Sequence, residues 1–386
     1  MASSRRNSIV SALLVAALAH LASAQVFHVP GDFPTLPAAL AGVPADAVIV
    51  VHGGNHPPIT VTKPVTIVGS PQATIVNTDV DDPIAPFKLA NAITLAGAGS
   101  GRVTLSSVRT TGSADGSFYS ISGAGIFGGG FSELHLTDCS IQPAQWTALT
   151  GQAQGANALT VFLPYVLLER CTVVGGLSDT DACDYPWNPS GGAGVAAPGA
   201  TVAVLDSTVT GGRGPIMCFS DGNCPGGPLM ESDGGPGIVA ATVLRAASTI
   251  SGGKGQPVTC GSTIVGTELD GPAIVAGTVT DLGTALTASG AAVMGLGWTL
   301  TWSTSPPTSL LVVGTPSVAP LQVGTKGLLF LDAVTMKVFP VAGGIGQSIT
   351  STLPTTAALS GVEFGAQVYD IALQHLTRPV VAVFQP

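Results

Sequence analysis

Apolar and polar positions recur along this chain in one short cassette, seen most plainly as VAVLDSTVTGG at residues 202–212. Close variants are GRVTLSSVRTT from 101, LHLTDCSIQPA from 134, VLLERCTVVGG from 166 and VLRAASTISGG from 243. In this register the sixth place holds Ser106, Cys139, Cys171, Ser207 and Ser248, the seventh is Ser or Thr, and the eighth is Val or Ile. Units of this kind bury an apolar face only by stacking on one another. An earlier Gly-led strand accompanies the cassettes, at 123–126, 192–195, 235–238 and 271–274, so a short turn joins two strands of one coil. The sixth-place residues are spaced 33, 32, 36 and 41 apart. The surplus over a bare coil must leave the stack as loops, and loops on a rigid scaffold are where function concentrates.

Before the repeats, residues 32–41 predict a short helix whose Leu36, Ala39 and Leu40 cover an end of the stack, despite Pro37. Residues 48–51, 59–61 and 65–68 predict short strands between Gly and Pro turns. His52 and His56 have Gly53 and Gly54 between them, so no helix face joins them, and a surface turn is expected rather than a metal pair. Around 283–290 the pattern stops. Separate strands follow: WTLTW from 298, SLLVV from 309, GLLFLD from 327, MKVFPV from 336, VEFGAQVYDIAL from 362 and VVAVF from 380. These predict a small β-sandwich. Trp298, Leu300 and Trp302 share one face by the period of two and are expected in its core.

The opening segment contains Pro30-Gly31-Asp32-Phe33-Pro34-Thr35, the small-residue helix, a Val-rich strand and then Lys63-Pro64-Val65-Thr66-Ile67-Val68-Gly69. This order resembles the first coil of the right-handed parallel β-helix superfamily, the pectin-lyase-like and pectin-methylesterase-like proteins. The resemblance is close over residues 26–69 and looser through the repeats. It implies an all-β chain: a right-handed parallel β-helix with an N-terminal cap over residues 25–285, then a C-terminal β-sandwich over 286–386. The latter is similar to sandwiches appended to some secreted bacterial repeat proteins, and its simplest role would be to cover one end of the stack.

The resemblance carries no particular enzyme with it. Gly54 is followed by Asn55-His56-Pro57-Pro58 where the esterases have Gly-x-Tyr-x-Glu. Asn77-Thr78-Asp79 and Asp81-Asp82 match fragments of the polygalacturonase pattern, but Gly-His-Gly and Arg-Ile-Lys are missing, so a turn before Pro83 is expected. Basic lyase motifs have nowhere to sit, because the only arginines after residue 200 are Arg213, Arg245 and Arg378.

Composition agrees with an all-β fold, with 45% hydrophobic residues, 9% charged and 51 Gly. The net charge of -9 and only 13 Lys and Arg argue against nucleic acid as a partner. Arg5 and Arg6, an apolar run over 9–22 and Ala22-Ser23-Ala24 read as a secretory signal over residues 1–24. The expected address is therefore extracellular, cell-surface or periplasmic. No later stretch approaches a transmembrane span.

The chemistry that the sequence offers lies on the loops. Gly175-Gly176, Gly211-Gly212 and Gly252-Gly253 mark one corner of three coils, so the loops leaving there should project side by side. The first carries Asp179, Asp181, Asp184, Tyr185 and Trp187; the second Arg213, Asp221, Glu231 and Asp233; the third begins at Lys254. Two of the carboxylates, with Asp181 and Asp233 foremost and Arg213 nearby, could act as acid and base on a glycan stacked on Tyr185 and Trp187. Asp179, Asp181 and Asp184, with Asp221, could instead give hard oxygen ligands to Ca²⁺. The third alternative is a solvated cluster partly balanced by Arg213 and Lys254. Trp146 is a further sugar-stacking candidate, or a loop anchor. The preferred function is non-catalytic, structural, adhesive or polysaccharide-binding, with a polysaccharide or cell-envelope component as the expected partner. Its rival is a divergent polysaccharide lyase or glycoside hydrolase.

All six cysteines follow the signal segment, so disulfides are expected. Cys139 and Cys171 share the sixth place on adjacent coils, which predicts a bridge between them. Cys183, Cys218, Cys224 and Cys260 allow three pairings, and the sequence does not choose among them. Asp138, Arg170 and Asp206 at the fifth place predict an alternating charge ladder, and the seventh place a hydroxyl ladder through Ser107, Ser140, Thr172, Thr208 and Thr249.

Overall fold

A computed structural model describes residues 25–76, 91–112, 123–144, 155–177, 190–214, 217–219, 233–256, 258–260, 263–264, 269–282, 286–323, 328–355 and 359–386. The proposed signal segment, the Asn77 to Asp82 run and Trp146 lie outside these residues. Most of the chain up to Asp281 forms one curled sheet of 17 strands in which every pairing is parallel.

Strands of successive coils lie in three in-register stacks. One runs through Ile59, Ile93, Ile126, Leu159, Val195, Ile238 and Ile274. A second runs through Val48, Thr66, Thr104, His135, Leu167, Ala203, Leu244 and Thr280. The third contains Arg109, Ser140, Thr172, Thr208 and Thr249. Side chains from all three meet in one apolar core that includes Ile67, Leu105, Leu134, Leu168, Val204 and Val209.

The chain turns from the second stack into the third at one left-handed residue per coil: Ser107, Asp138, Arg170, Asp206 and Ala247, with φ between 47 and 56°. Beside this corner the Ser207 hydroxyl accepts the Cys171 N–H at 2.9 Å and donates to the Leu205 carbonyl at 2.7 Å. The register of the first repeat differs from the sequence expectation. Val103 pairs with Leu134 and Arg109 with Ser140, so Val108 rather than Ser106 stands level with Cys139. A slip of two residues preserves the in-and-out alternation, which is why the pattern did not reveal it. The hydroxyl ladder therefore begins at Ser140, with Arg109 in the place expected for Ser107.

At the start of the stack the helix spans Leu36–Gly42 and buries Leu36, Ala39 and Leu40 as expected, but begins later. Thr35 caps it by accepting the Ala38 N–H at 3.3 Å, while the Asp32 carboxylate binds the His28 N–H at 2.9 Å in the preceding turn. Pro37 lies in the first turn, where a missing N–H costs no helical bond. His52 and His56 belong to the strand Ala47–His56, irregular between His52 and Gly54, rather than to a turn.

Toward the C-terminus a second, mainly antiparallel sheet forms around Gly297–Gly314, with Lys337–Thr352, Glu363–Asp370 and Val380–Gln385, while Pro316–Gln322 and Leu328–Leu331 pair as a separate two-stranded ribbon. Trp298, Leu300 and Trp302 are buried in its core as expected, and Phe364 packs edge-on to Trp298 and stacks on Phe384. This sheet lies along the side of the parallel stack. Val381 of this sheet and Phe330 of the two-stranded ribbon pack on Tyr165, Leu167, Ala203, Leu205, Leu244 and Ala246, while Val383 packs on Val48, Val50 and Val68. The strand Val380–Gln385 can serve two cores because alternate residues face opposite sides: Val380, Ala382 and Phe384 turn to their own sheet.

Cys139 and Cys171 are buried and free, which corrects the expected bridge. They occupy equivalent rungs of neighbouring parallel strands, so their side chains project in parallel about one strand spacing, ~4.8 Å, apart. A disulfide needs Cβ atoms about 3.8 Å apart. The sulfurs instead face carbonyls, Cys139 Sγ at 3.3 Å from Thr137 O and Cys171 Sγ at 3.2 Å from Leu136 O. Burial and the adjacent Cys139 hold the Cys171 thiol well above the usual range, so it is unreactive. Alkylation of the denatured, unreduced protein should label both residues. A Cys139–Cys171 cross-linked peptide in the mass spectrum would contradict this.

Candidate functional site

The bases of the insertion loops are built from glycine. Coil ends and coil starts form two columns that zip together: Gly192 N–H donates to Gly176 O at 3.1 Å, Gly212 to Gly192 at 2.6 Å, Gly235 to Gly212 at 2.8 Å, Gly253 to Gly235 at 2.7 Å and Gly271 to Gly253 at 2.8 Å. Backbones approach so closely that a Cβ on Gly212 would lie 1.9 Å from Gly176 O. Each loop therefore leaves and returns at adjacent points, and its length can vary without disturbing the coil. Two successive loops are also joined beyond the stack. Met217–Phe219 pairs in parallel with Val258–Cys260, which pairs antiparallel with Thr263–Ile264.

Of the residues expected to carry chemistry, the structure describes Asp233 and Arg213. Asp233 stands at the loop base, its carbonyl accepting the Gly191 N–H at 3.0 Å, and its buried Oδ1 has no hydrogen-bond partner among the described residues. Arg213 donates to the Gln256 side chain of the next loop, and exposed Lys254 pairs with Asp270 at 2.5 Å. Exposed pairs of this kind contribute little stability. Asp179, Asp181, Asp184, Tyr185, Trp187, Asp221, Glu231, Cys183 and Cys224 lie outside the described residues. For Cys218 and Cys260 only the backbone is described.

A group of ionisable residues that the sequence did not single out lies in the seam between the two sheets. On outward positions of the second stack, Arg102, Glu133 and His135 meet Glu363 of the covering sheet. Arg102 Nε is 2.7 Å from Glu133 Oε2, and its Nη1 is 2.9 Å from Glu363 Oε2. His135 Nδ1 is 2.7 Å from Glu363 Oε1, while its Nε2 sits 3.0 Å from Glu133 Oε2 without hydrogen-bond alignment. Burial by itself disfavours the imidazolium, but the charge of Glu363, its hydrogen bond from Nδ1 and the close Glu133 carboxylate outweigh it and raise the His135 pKa. Burial likewise opposes ionisation of Glu133 and Glu363. For Glu133 the nearby His135 and Arg102 prevail, for Glu363 the charges of His135 and Arg102, and both titrate below the ordinary range.

A second cluster lies a few rungs along. Arg170 grips Asp138 with two bonds, at 2.8 and 3.0 Å, and donates to Glu169 Oε1 at 2.8 Å and to Val381 O at 3.1 Å. Asp206 pairs at 2.7 Å with buried Arg378 of the second sheet. The expected ladder of Asp138, Arg170 and Asp206 is thus only half formed between coils, because Asp206 takes its cation from across the seam. Complete burial pushes the pKa of Glu169 up to about 8, against the opposing pull of Arg170 and Arg378.

Perturbed ionisable groups mark either an active site or an ion-pair network. The resolved contacts here are protein to protein, and the side chains of His135, Glu133 and Glu363 are 0, 3 and 6% exposed, which denies a substrate access. This network aligns the two sheets. The signal that could have revealed it is the loss of alternation in YVLLE and ATVAVL, since runs apolar at every position mark strands buried on both faces.

The chain matches no protein-family model and no curated protein sequence. Among the described residues, no helix is long and apolar enough to cross a membrane, and no three His, Cys, Asp or Glu side chains are grouped to hold a metal ion.

Proposed function

We propose that this is an exported, non-catalytic scaffold, a right-handed parallel β-helix with a C-terminal β-sandwich, whose insertion loops bind polysaccharide or a cell-envelope component. The observation that carries this reading is the pairing of Met217–Phe219 with Val258–Cys260, which ties loops of neighbouring coils into a platform. Its glycine-zipped base sets the loops at fixed intervals along the stack. A repeating polymer fits such a surface, because equivalent loop positions recur about one strand spacing apart. The perturbed ionisable groups of the seam bind the two sheets together and need no substrate.

The test is incubation of residues 25–386, with and without calcium, against insoluble acidic and neutral polysaccharides, measuring retained protein and soluble products. Retention without released oligosaccharides is expected. Released oligosaccharides that vanish in an Asp181→Ala, Asp233→Ala double variant would replace this reading with a hydrolase or lyase.

A further inference from the structure

We propose that the C-terminal sheet is a pH-sensitive cover, docked most firmly on the side of the stack in mildly acidic solution and loosening progressively as the pH rises through neutrality.

The inference rests on counting charge in the two buried clusters. In the first, Arg102 and protonated His135 balance Glu133 and Glu363. Tyr165 packs edge-on to His135 and, being buried beside both carboxylates, stays neutral. In the second, Arg170 and Arg378 balance Asp138 and Asp206, with Glu169 neutral between them. Each cluster is therefore electrically balanced while it keeps one proton, and losing that proton leaves one uncompensated negative charge buried in the seam. Buried charge without a partner is costly.

Both proton sites act in the same direction. His135 is raised above its unfolded value, so its contribution is complete below about 6.5 and is lost as pH rises through the folded value. Glu169 is raised from 4.5 to about 8, so the folded state holds a proton that the unfolded state has released, and stability falls across that interval. Glu133 and Glu363 are lowered and act only in acid, where their contribution fades as pH falls through their folded values. Each cluster bridges the sheets, through Glu363 in the first and through Arg378 and Val381 in the second. Release would uncover the apolar strip of Leu167, Ala203, Leu205 and Leu244. None of the seam contacts named above comes from an insertion-loop residue, so failure of this proposal would leave the polysaccharide reading standing.

The full chain should be scanned calorimetrically from pH 5 to pH 9 with an apolar dye as a second probe. The expected result is a transition of the C-terminal sheet that falls in temperature as the pH rises from 5 to about 8 and then levels off, accompanied by rising dye fluorescence. In Glu169→Gln, which mimics the neutral acid, most of the fall between pH 5 and about pH 8 should disappear, leaving the part that His135 contributes. Infrared spectra of the unmodified protein should show a neutral carboxyl band at pH 7 that is lost by pH 9, which keeps the test decisive if the variant does not fold. A transition and dye signal that stay flat across this range, an equally steep fall in Glu169→Gln, or no neutral carboxyl at pH 7 would overturn the proposal.

Discussion

Gly212→Ala should unfold the coil stack or destabilise it by at least about 3 kcal/mol. Its Cβ would lie 1.9 Å from Gly176 O and 2.8 Å from Gly192 N, both backbone atoms that no side-chain rotation can move aside. Relief requires opening the zip on both sides, with loss of the Gly212 to Gly192 and Gly235 to Gly212 hydrogen bonds. At roughly 2–4 °C per kcal/mol for a domain of this size, the melting temperature should fall by about 6–12 °C. Gly297→Ala is the control. Its Cβ would meet only Thr350 Cγ2, at 3.5 Å, so its melting temperature should stay within about 2 °C of the parent. Equal behaviour of the two variants would mean that the close approach of the coil ends is not real.

The second large effect is expected from Glu363→Gln. Glu363 accepts from His135 Nδ1 and from Arg102 Nη1, and hydrogen bonds to charged groups contribute about 1.5–3 kcal/mol each. Losing both should cost roughly 3–5 kcal/mol at neutral pH, with His135 giving up its proton so that Arg102 and Glu133 remain balanced. The deficit should be bell-shaped in pH. The Glu363 contribution exists above its unfolded value near 4.5 and is lost in acid, while that of His135 exists below about 6.5 and is lost as pH rises through its elevated folded value. Denaturant titrations of parent and variant at pH 3, 6 and 9 would show it. A deficit that is constant across the three would mean the contact acts through packing alone.

These two sites differ in how far they could be read beforehand. The glycine pairs stand in the sequence at the ends of three cassettes, and their place at the bases of neighbouring loops followed from the repeat. Their zip with the starts of the next coils did not, because those glycines, such as Gly192 and Gly235, are distant in sequence and meet only when the coil closes. The ionisable residues of the seam were not legible. By alternation Glu133, His135 and Thr137 point outward from the strand Glu133–Thr137, and nothing local distinguishes outward into water from outward into a second sheet. Cys139 and Cys171 show the opposite failure. Their proximity was legible, but parallel stacking sets their side chains side by side instead of toward one another.

The sequence by itself determined the repeated strands, the apolar core they share, the capping helix and the buried Trp face of the second sheet. Periodicity and turn residues carry that information locally, and stacking only multiplies it. The tertiary structure decided where the second sheet sits and which charges it buries, and so the ionisation of His135 and Glu169. Those states depend on desolvation by strands more than a hundred residues away, for which a single chain has no local pattern.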